Sequence, residues 1–206
     1  MGAIRVVSGT GTGPTTTAAY DAALLSAGVG NYNLVSVSSV VPPGATVEVD
    51  GTAPDLGAAG DRLTVVQARA VGDRVAAALS WARGDDGRGL FYEGTVQGPG
   101  PEVDDEELRE RALREAERGL TAGFDRRDWT PAGRSSVAVA ESVPASDTDA
   151  GGQADAGADT ETDTGTDVDA DTGADTDVDA DADAGERDRH AAAVVLAVYG
   201  DGTALV

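Results

Sequence analysis

The 206-residue sequence contains no cysteine, no lysine and a single histidine, His190. The absence of cysteine excludes disulfide bonds and thiolate metal sites. The absence of lysine excludes pyridoxal phosphate held on a lysine side chain, and it excludes the lysine-containing Walker A phosphate loop. His190 lies beside a long acidic tract, where it is poorly placed to act as the base of a Ser-His-Asp triad. The chemistry of this chain therefore has to come from other groups.

Positive charge is scarce: 15 arginines stand against 37 acidic residues, for a formal net charge of −22. Residues 147–183 hold 14 of the acidic residues and no arginine, so the rest of the chain carries −8. Dense carboxylates keep a surface hydrated in concentrated salt, where the Debye length is only ~3 Å, so we predict a halophilic source. A GC-rich genome also favours this composition. The charge argues against nucleic acid as a partner, since phosphate contacts need clustered basic residues.

Long apolar runs are missing as well. No stretch approaches the ~18 residues that a membrane-spanning helix needs. The N-terminal residues lack the charged, apolar and cleavage regions of a secretory signal. We therefore expect a cytoplasmic protein with no membrane partner.

Residues 146–189 repeat Asp, Thr, Ala and Gly with almost no bulky apolar side chain. Such a segment cannot recover the entropy that is lost on ordering. We therefore predict a disordered acidic insert before the last strand of a single domain that spans residues 1–206. Calcium-binding repeats also alternate aspartate, but they need GGxGxD glycines that are absent here. Solvation is the role that the composition favours, and no metal site is expected.

Hydrophobic periodicity predicts strands interleaved with two helices, which indicates an α+β fold. The first helix is expected to begin near Thr16 or Thr17, whose hydroxyl can cap it, and to stop at Gly28. The second lies within 101–124, with acidic residues in its first turn and an apolar face at three- and four-residue spacing. Strands are predicted at 4–9, 33–41, 62–71, 74–83, 89–94, 135–143 and 191–200.

The segment Gly9–Gly13 reads GTGTG and stands between a predicted strand and a predicted helix. This order permits a nucleotide-binding α/β module with phosphate at the helix N-terminus. The spacing does not match GxGxxG, and Pro14 precedes the helix. We interpret the segment as a plain loop and keep nucleotide binding as an alternative.

Two adjacent serines, Ser38 and Ser39, follow a β-branched run and precede the turn Pro42–Pro43. The Ser39 hydroxyl can attack the Ser38 carbonyl carbon, and elimination from the resulting ester cuts the chain and leaves a pyruvoyl group with loss of ammonia. The rigid turn downstream would help to hold the hydroxyl at the carbonyl. Ser-Ser dipeptides are common and nearly always inert, so a surface strand that ends in a turn is the alternative interpretation.

The stretch YDAALLSAGVGNYNLVSVSSVVPPG, residues 20–44, resembles the signature of the pyruvoyl-dependent arginine decarboxylases. GLFYEG, GFDRRDW and AAAVVLAVYG resemble later segments of that family, so the resemblance covers nearly the whole chain except the insert. It implies an αββα sandwich and a homotrimer, or a multiple of trimers, of cleaved protomers with active sites at subunit contacts. It also implies decarboxylation of L-arginine to agmatine and carbon dioxide through a Schiff base to the pyruvoyl group, for polyamine biosynthesis.

The resemblance implies a role for each matching residue. Ser39 becomes the pyruvoyl cofactor, and Ser38 becomes the new C-terminus at the cleavage site. Asn33 acts in processing and placement near the cofactor, and Asp21 binds the substrate guanidinium. Without the resemblance, a turn cap and a solvated helix face would be the preferred interpretations of Asn33 and Asp21. Glu93 is the general acid.

The general-acid assignment depends on the alignment. Anchoring on Gly89–Leu90 gives Glu93, whereas anchoring on YEG puts Phe91 at the catalytic position and removes the acid. We prefer Glu93, because that anchor preserves a carboxylate. A second alternative for the whole chain is an uncleaved, inactive relative that serves as a structural or regulatory subunit. Because the chain has no lysine for pyridoxal phosphate, a carbonyl made from its own backbone is the natural electron sink.

Overall fold

Two β-sheets, each covered by one helix, make up the part of the chain that the structure describes. The structure is a computed structural model, and it describes residues 2–98, 103–143 and 189–205. The mixture of helices and strands confirms the predicted α+β class. The predicted insert, 146–189, lies outside the described residues except for its last residue, Arg189.

Eleven elements follow one another along the described residues, and several begin or end at glycines. The helices are α1 (Thr16–Ser26) and α2 (Asp105–Asp125). The strands are β1 (Ala3–Gly13), β2 (Asn33–Ser36), β3 (Val40–Val41), β4 (Thr46–Gly51), β5 (Arg62–Gly72), β6 (Arg74–Gly84), β7 (Gly89–Gln97), β8 (Pro131–Ser142) and β9 (His190–Tyr199).

The larger sheet has five strands in the order β2-β5-β9-β1-β4. Its central strand, β9, is antiparallel to both β5 and β1, whereas β2 and β4 are parallel to their neighbours. Eight consecutive residues of β9, Ala191 to Val198, are buried. A continuous apolar run is what a strand covered on both faces requires, and it explains why the AAAVVLAV segment lacks polar alternation.

The smaller sheet has four strands in the order β3-β7-β6-β8, all antiparallel. One of its two inner strands, β6, is alanine-rich and is nevertheless a strand, as predicted, because both of its faces are buried. One face of β6 contributes Val75, Ala77, Leu79 and Trp81 to a core shared with the larger sheet. The other face contributes Ala76 and Ala78 to a cluster with α2.

Helix α2 covers the outer face of the smaller sheet through Leu108, Ala112, Ala116, Leu120 and Phe124. Asp104 caps its N-terminus by accepting a hydrogen bond from the Glu107 backbone at 2.8 Å. Three acidic residues occupy its first turn, where they stabilise the helix dipole. The amphipathic pattern of the sequence therefore predicted this helix correctly.

Helix α1 packs on the larger sheet over a stripe of glycines in β1, and here the sequence prediction was wrong. Gly9–Gly13 is not a loop: the five residues continue β1 and pair with the first residues of β9. A Cβ atom on Gly11 would lie 2.6 Å from the Ala22 Cβ, and one on Gly13 would lie 2.6 Å from the Ala19 nitrogen. The glycines therefore serve close helix–strand packing, and the loop that nucleotide binding would need is absent from the described residues.

Three further differences from the predictions have local causes. The N-cap of α1 is Thr15, whose side chain accepts a hydrogen bond from the Ala18 nitrogen at 3.1 Å, and not Thr16 or Thr17. Strand β4 was missed because most of its residues are exposed and it has no buried alternation. The predicted strand 33–41 is two short strands in different sheets, since the chain changes sheet after Ser36.

The glycine stripe predicts a large effect of a single methyl group. We expect Gly11→Ala to lower the free energy of unfolding by roughly 1–3 kcal/mol, because the added carbon has to displace the α1 backbone. Gly2→Ala is the matched control, since the nearest atom to its Cβ would lie 3.9 Å away. Denaturant unfolding in high salt measures both. Equal stability of the two variants would contradict the packing described here.

Candidate active site

The Ser38–Ser39 peptide lies in the short connection where the chain passes from one sheet to the other. Strand β2 ends at Ser36, and the Val37 nitrogen still donates to the Val65 oxygen of β5 at 2.9 Å. Val40 then begins β3, which pairs with β7 in the smaller sheet. Ser38 is exposed and Ser39 is half-buried. Strand pairing thus fixes the chain immediately before and immediately after the two serines.

Two backbone hydrogen bonds orient the peptide groups on either side of Ser39. The Val40 nitrogen donates to the Ser38 carbonyl oxygen at 2.9 Å, which forms a three-residue turn centred on Ser39. The Phe91 nitrogen donates to the Ser39 carbonyl oxygen at 2.8 Å. The carbonyl that a Ser39 hydroxyl would attack therefore already accepts a hydrogen bond, which favours negative charge on that oxygen.

Strand alternation in β7 brings a carboxylate to Ser39. Leu90 and Tyr92 face α2, so Phe91 and Glu93 face the layer between the sheets. The Ser39 Oγ donates to the Glu93 Oε1 at 3.2 Å. Phe91 is instead fully buried in the shared core and reaches Ser39 only through its backbone. Of the two alternatives for the acid, the geometry favours Glu93.

Tyr199, the last residue of β9, is a member of this cluster that sequence reasoning missed. Its hydroxyl donates to the Val40 carbonyl oxygen at 2.9 Å, and its ring meets Phe91 edge-on with centroids 6.3 Å apart. Burial, and secondly the negative charge of Glu93, raise the pKa of Tyr199 to about 12. An aromatic residue ending a buried apolar strand was the only available signal, and alone it indicates no role.

The structure does not bring the other two predicted site residues to Ser39. Asn33 lies at the opposite end of β2, where its Nδ2 donates to the Gly60 oxygen at 2.7 Å. Asp21 is exposed on α1, on the outer face of the larger sheet, whereas Glu93 faces the layer between the sheets. The larger sheet therefore separates Asp21 from Glu93 within one chain.

His190 lies far from the serines. It begins β9 opposite Gly13, whereas Tyr199 ends the same strand opposite Ile4. Nine residue steps in a strand span roughly 30 Å. The described part of the chain therefore contains no arrangement of His190 with Ser39 that resembles a catalytic triad.

Ser38, Ser39 and Glu93 together present the groups that a chain would need in order to make a reactive group from its own backbone. A hydroxyl lies beside its own peptide bond, a carboxylate accepts from that hydroxyl, and a backbone N–H contacts the carbonyl to be attacked. The model of the family described as pyruvoyl-dependent arginine decarboxylase matches residues 3–151, and the chain belongs to this family.

Curated relatives agree with the family match. A pyruvoyl-dependent arginine decarboxylase of Halobacterium salinarum is 48% identical over 132 residues, which is 63% of this chain and 77% of the relative. Proteins with the same name from Methanopyrus kandleri and Methanocaldococcus jannaschii are 39% identical over 89 residues and 29% identical over 144 residues. These alignments cover 43% and 68% of this chain, and 57% and 81% of the relatives. None of the helices in the described residues is long and apolar enough to span a membrane.

The raised pKa of Tyr199 predicts a late step in an alkaline titration. Folding raises this pKa from its ordinary value of 10.0 to about 12, so the neutral phenol stabilises the fold fully below pH 10. That contribution is lost as the pH rises through 12. The difference in phenolate absorbance between the unchanged protein and Tyr199→Phe isolates this group.

Glu93→Gln serves as the second variant in the same titration. Removal of the carboxylate charge should lower the pKa of Tyr199, because that charge contributes to the shift. A Tyr199 midpoint at or below pH 10 in the unchanged protein would show that the phenol is not buried beside Glu93.

Proposed function

We propose that this chain is a self-cleaving decarboxylase that converts L-arginine to agmatine and carbon dioxide. The observation that carries the proposal is the hydrogen bond from the Ser39 Oγ to Glu93, at the one Ser-Ser step that matches the family signature. The names of the curated relatives support arginine as the substrate. Polyamine biosynthesis is the use that this product suggests.

Processing begins when the Ser39 Oγ gives its proton to Glu93 and adds to the Ser38 carbonyl carbon. The C–N bond between Ser38 and Ser39 breaks, which leaves an ester and a free amine. Loss of the Ser39 Hα and cleavage of the Cβ–Oγ bond then release the Ser38 carboxylate and leave dehydroalanine. Its imine tautomer takes up one water and loses ammonia, and a pyruvoyl group remains at the head of the second fragment.

Residues around Ser39 fit the group that this reaction would leave. The Phe91 N–H contacts the Ser39 carbonyl, which would adjoin the new ketone. Glu93 contacts the Ser39 side chain, so it would lie beside a substrate joined to that ketone. The pyruvoyl group supplies an electron sink for loss of carbon dioxide from an amino acid. Glu93 returns a proton to Cα after that loss, which is the role of a general acid. Neither pyridoxal phosphate nor a metal is part of this proposal.

Recognition of the substrate side chain is assigned to Asp21. A carboxylate binds a guanidinium through two parallel hydrogen bonds, which distinguishes arginine from lysine by shape. Asp21 and Asn33 lie away from Ser39 in the same chain, which supports an active site completed by a second protomer in a homotrimer. The order of helix, sheet, sheet and helix supports the αββα sandwich of the decarboxylase type.

The remaining predictions on source and location belong to the same proposal. The relative from Halobacterium salinarum supports a halophilic, archaeal source. A cytoplasmic location is proposed from the composition. The alternative of an uncleaved structural or regulatory subunit would need Ser39 to be inert, and its contact with Glu93 disfavours this. The nucleotide-binding alternative is disfavoured, because Gly9–Gly13, which it needs as a loop, is part of strand β1.

Ser39→Ala tests the processing step. The variant should remain one full-length chain without decarboxylase activity, because it has no hydroxyl to attack Ser38. The unchanged protein should give a 38-residue fragment and a larger fragment that reacts with borohydride. Intact mass and carbon dioxide release from labelled arginine measure both properties.

Ser36→Ala is the control for this experiment, since Ser36 is an exposed serine that ends β2 upstream of the cleavage site. It should be cut at the same bond as the unchanged protein. Cleavage of Ser39→Ala at that bond would refute the proposed chemistry. An unchanged protein that stays intact when folded in high salt would refute the enzyme assignment.

If each active site combines Ser39 of one protomer with Asp21 of another, two inactive variants should restore activity when they assemble together. Asp21→Ala should be cleaved but inactive, and Ser39→Ala should be uncleaved and inactive. When the two variants are co-expressed in equal amounts, about a quarter of the sites in a cyclic trimer combine an intact Ser39 with an intact Asp21. Roughly a quarter of the normal activity should return. Mixing the separately purified variants, without subunit exchange, is the control.

Two tags of different kinds confirm that the co-expressed protein contains both variants. No recovery of activity in such hetero-oligomers would place Asp21 and Ser39 in the same protomer's site, or outside the site altogether.

A further inference from the structure

Three successive carbonyl groups around the cleavage site each accept a hydrogen bond, two from backbone N–H groups and one from a side chain. The Ser38 oxygen accepts from the Val40 nitrogen, and the Ser39 oxygen accepts from the Phe91 nitrogen. The Val40 oxygen accepts from the Tyr199 hydroxyl at 2.9 Å. Tyr199 is the one side chain among these donors, and it comes from β9 in the other sheet.

This chain of contacts fixes two peptide planes in sequence. Phe91 holds the plane between Ser39 and Val40, and Tyr199 holds the next plane through the Val40 oxygen. With both planes held, the backbone at Val40 cannot rotate without breaking one of the two contacts. The Val40 N–H belongs to the first of these planes and is directed at the Ser38 carbonyl oxygen.

The phenol is well suited to hold this position. Its ring packs edge-on against Phe91 and against the core shared by the two sheets. The pKa of Tyr199 lies near 12, so the hydroxyl keeps its proton and remains a donor at any ordinary working pH. Glu93, the charged group that faces it, stabilises the protonated form further.

We propose that Tyr199 is a positioning residue for self-cleavage, which holds the Val40 amide at the carbonyl that Ser39 attacks. The inference rests on the proposed function. When the Ser39 Oγ adds to the Ser38 carbon, the carbonyl oxygen gains negative charge, and the Val40 N–H is the donor already in contact with it. Tyr199 gives up no proton in this step and acts only through Val40.

Tyr199→Phe is the first test, with processing followed by pulse-labelled cell-free synthesis in high salt. Loss of one orienting hydrogen bond should slow cleavage about tenfold while the ring still fills its place in the core. Tyr32→Phe is the matched control, because the Tyr32 hydroxyl also donates to a backbone carbonyl, that of Gly57, at 3.2 Å. The control should be cleaved at the normal rate.

A fluorinated tyrosine placed at 199 separates positioning from packing. Its free phenol ionises near neutral pH, and the burial that raises the pKa of Tyr199 raises this pKa as well. Its cleavage rate should fall as the pH rises through that ionisation, because a phenolate cannot donate to the Val40 oxygen. The unchanged protein should show no fall in the same range. A role in packing alone would leave the pH profile unchanged.

The outcomes separate this inference from the proposed function. Normal cleavage of the unchanged protein together with normal cleavage of Tyr199→Phe overturns only the role of Tyr199. The same holds if the fluorinated protein shows a flat pH profile. Failure of the unchanged protein to cleave overturns the proposed function itself.

Discussion

The transfer of the chain from one sheet to the other determines the properties of the Ser38–Ser39 step. Only residues 37–39 connect β2 with β3, and three residues reach at most about 10 Å, which is the usual distance between packed sheets. Strand pairing holds both ends of this connection, so its peptide groups have little freedom. A Ser-Ser dipeptide in an open loop would have no fixed partner for its hydroxyl. Here the register of β7 supplies Glu93 and the Phe91 amide.

A carboxylate on the face of β7 that meets the other sheet needs a reason, because most of the residues packed there are apolar. The core shared by the sheets is built from apolar residues, and Glu93 lies on the same face of β7 as the fully buried Phe91. A carboxylate placed there loses hydration, which costs free energy unless polar groups contact it. The Ser39 hydroxyl donates to the Glu93 carboxylate, and the charge of that carboxylate contributes to the raised pKa of the Tyr199 phenol. Glu93 and Tyr199, at the edge of the core, therefore adjoin the Ser38–Ser39 peptide.

The sequence predicted those parts of the fold and site that depend on neighbours along the chain. The amphipathic α2 follows from spacing, whereas the roles of Ser39 and Glu93 were assigned from the family signature and stay predictions. Contacts between distant segments were not predictable. The segment GTGTG reads as a loop, because its role in β1 depends on the contact with α1. Residues 33–41 read as one strand, because no local sequence feature indicates that the chain changes sheet after Ser36. The position of Tyr199 beside Ser39 was not predicted, because its hydrogen-bond partner, Val40, is 159 residues away in the sequence.

The described chain divides the proposed chemistry into two parts with different requirements. The nucleophile, its carboxylate and the amide at the attacked carbonyl all belong to one connection and its neighbouring strand, so a single folded protomer carries what cleavage needs. Asp21 lies on the other side of the five-stranded sheet, so under the proposed assignment recognition of a guanidinium would need a second copy. The proposed cofactor formation would then depend on folding, whereas the proposed substrate selection would depend on assembly. A protomer that is folded but alone would carry the reactive carbonyl without the carboxylate that selects arginine.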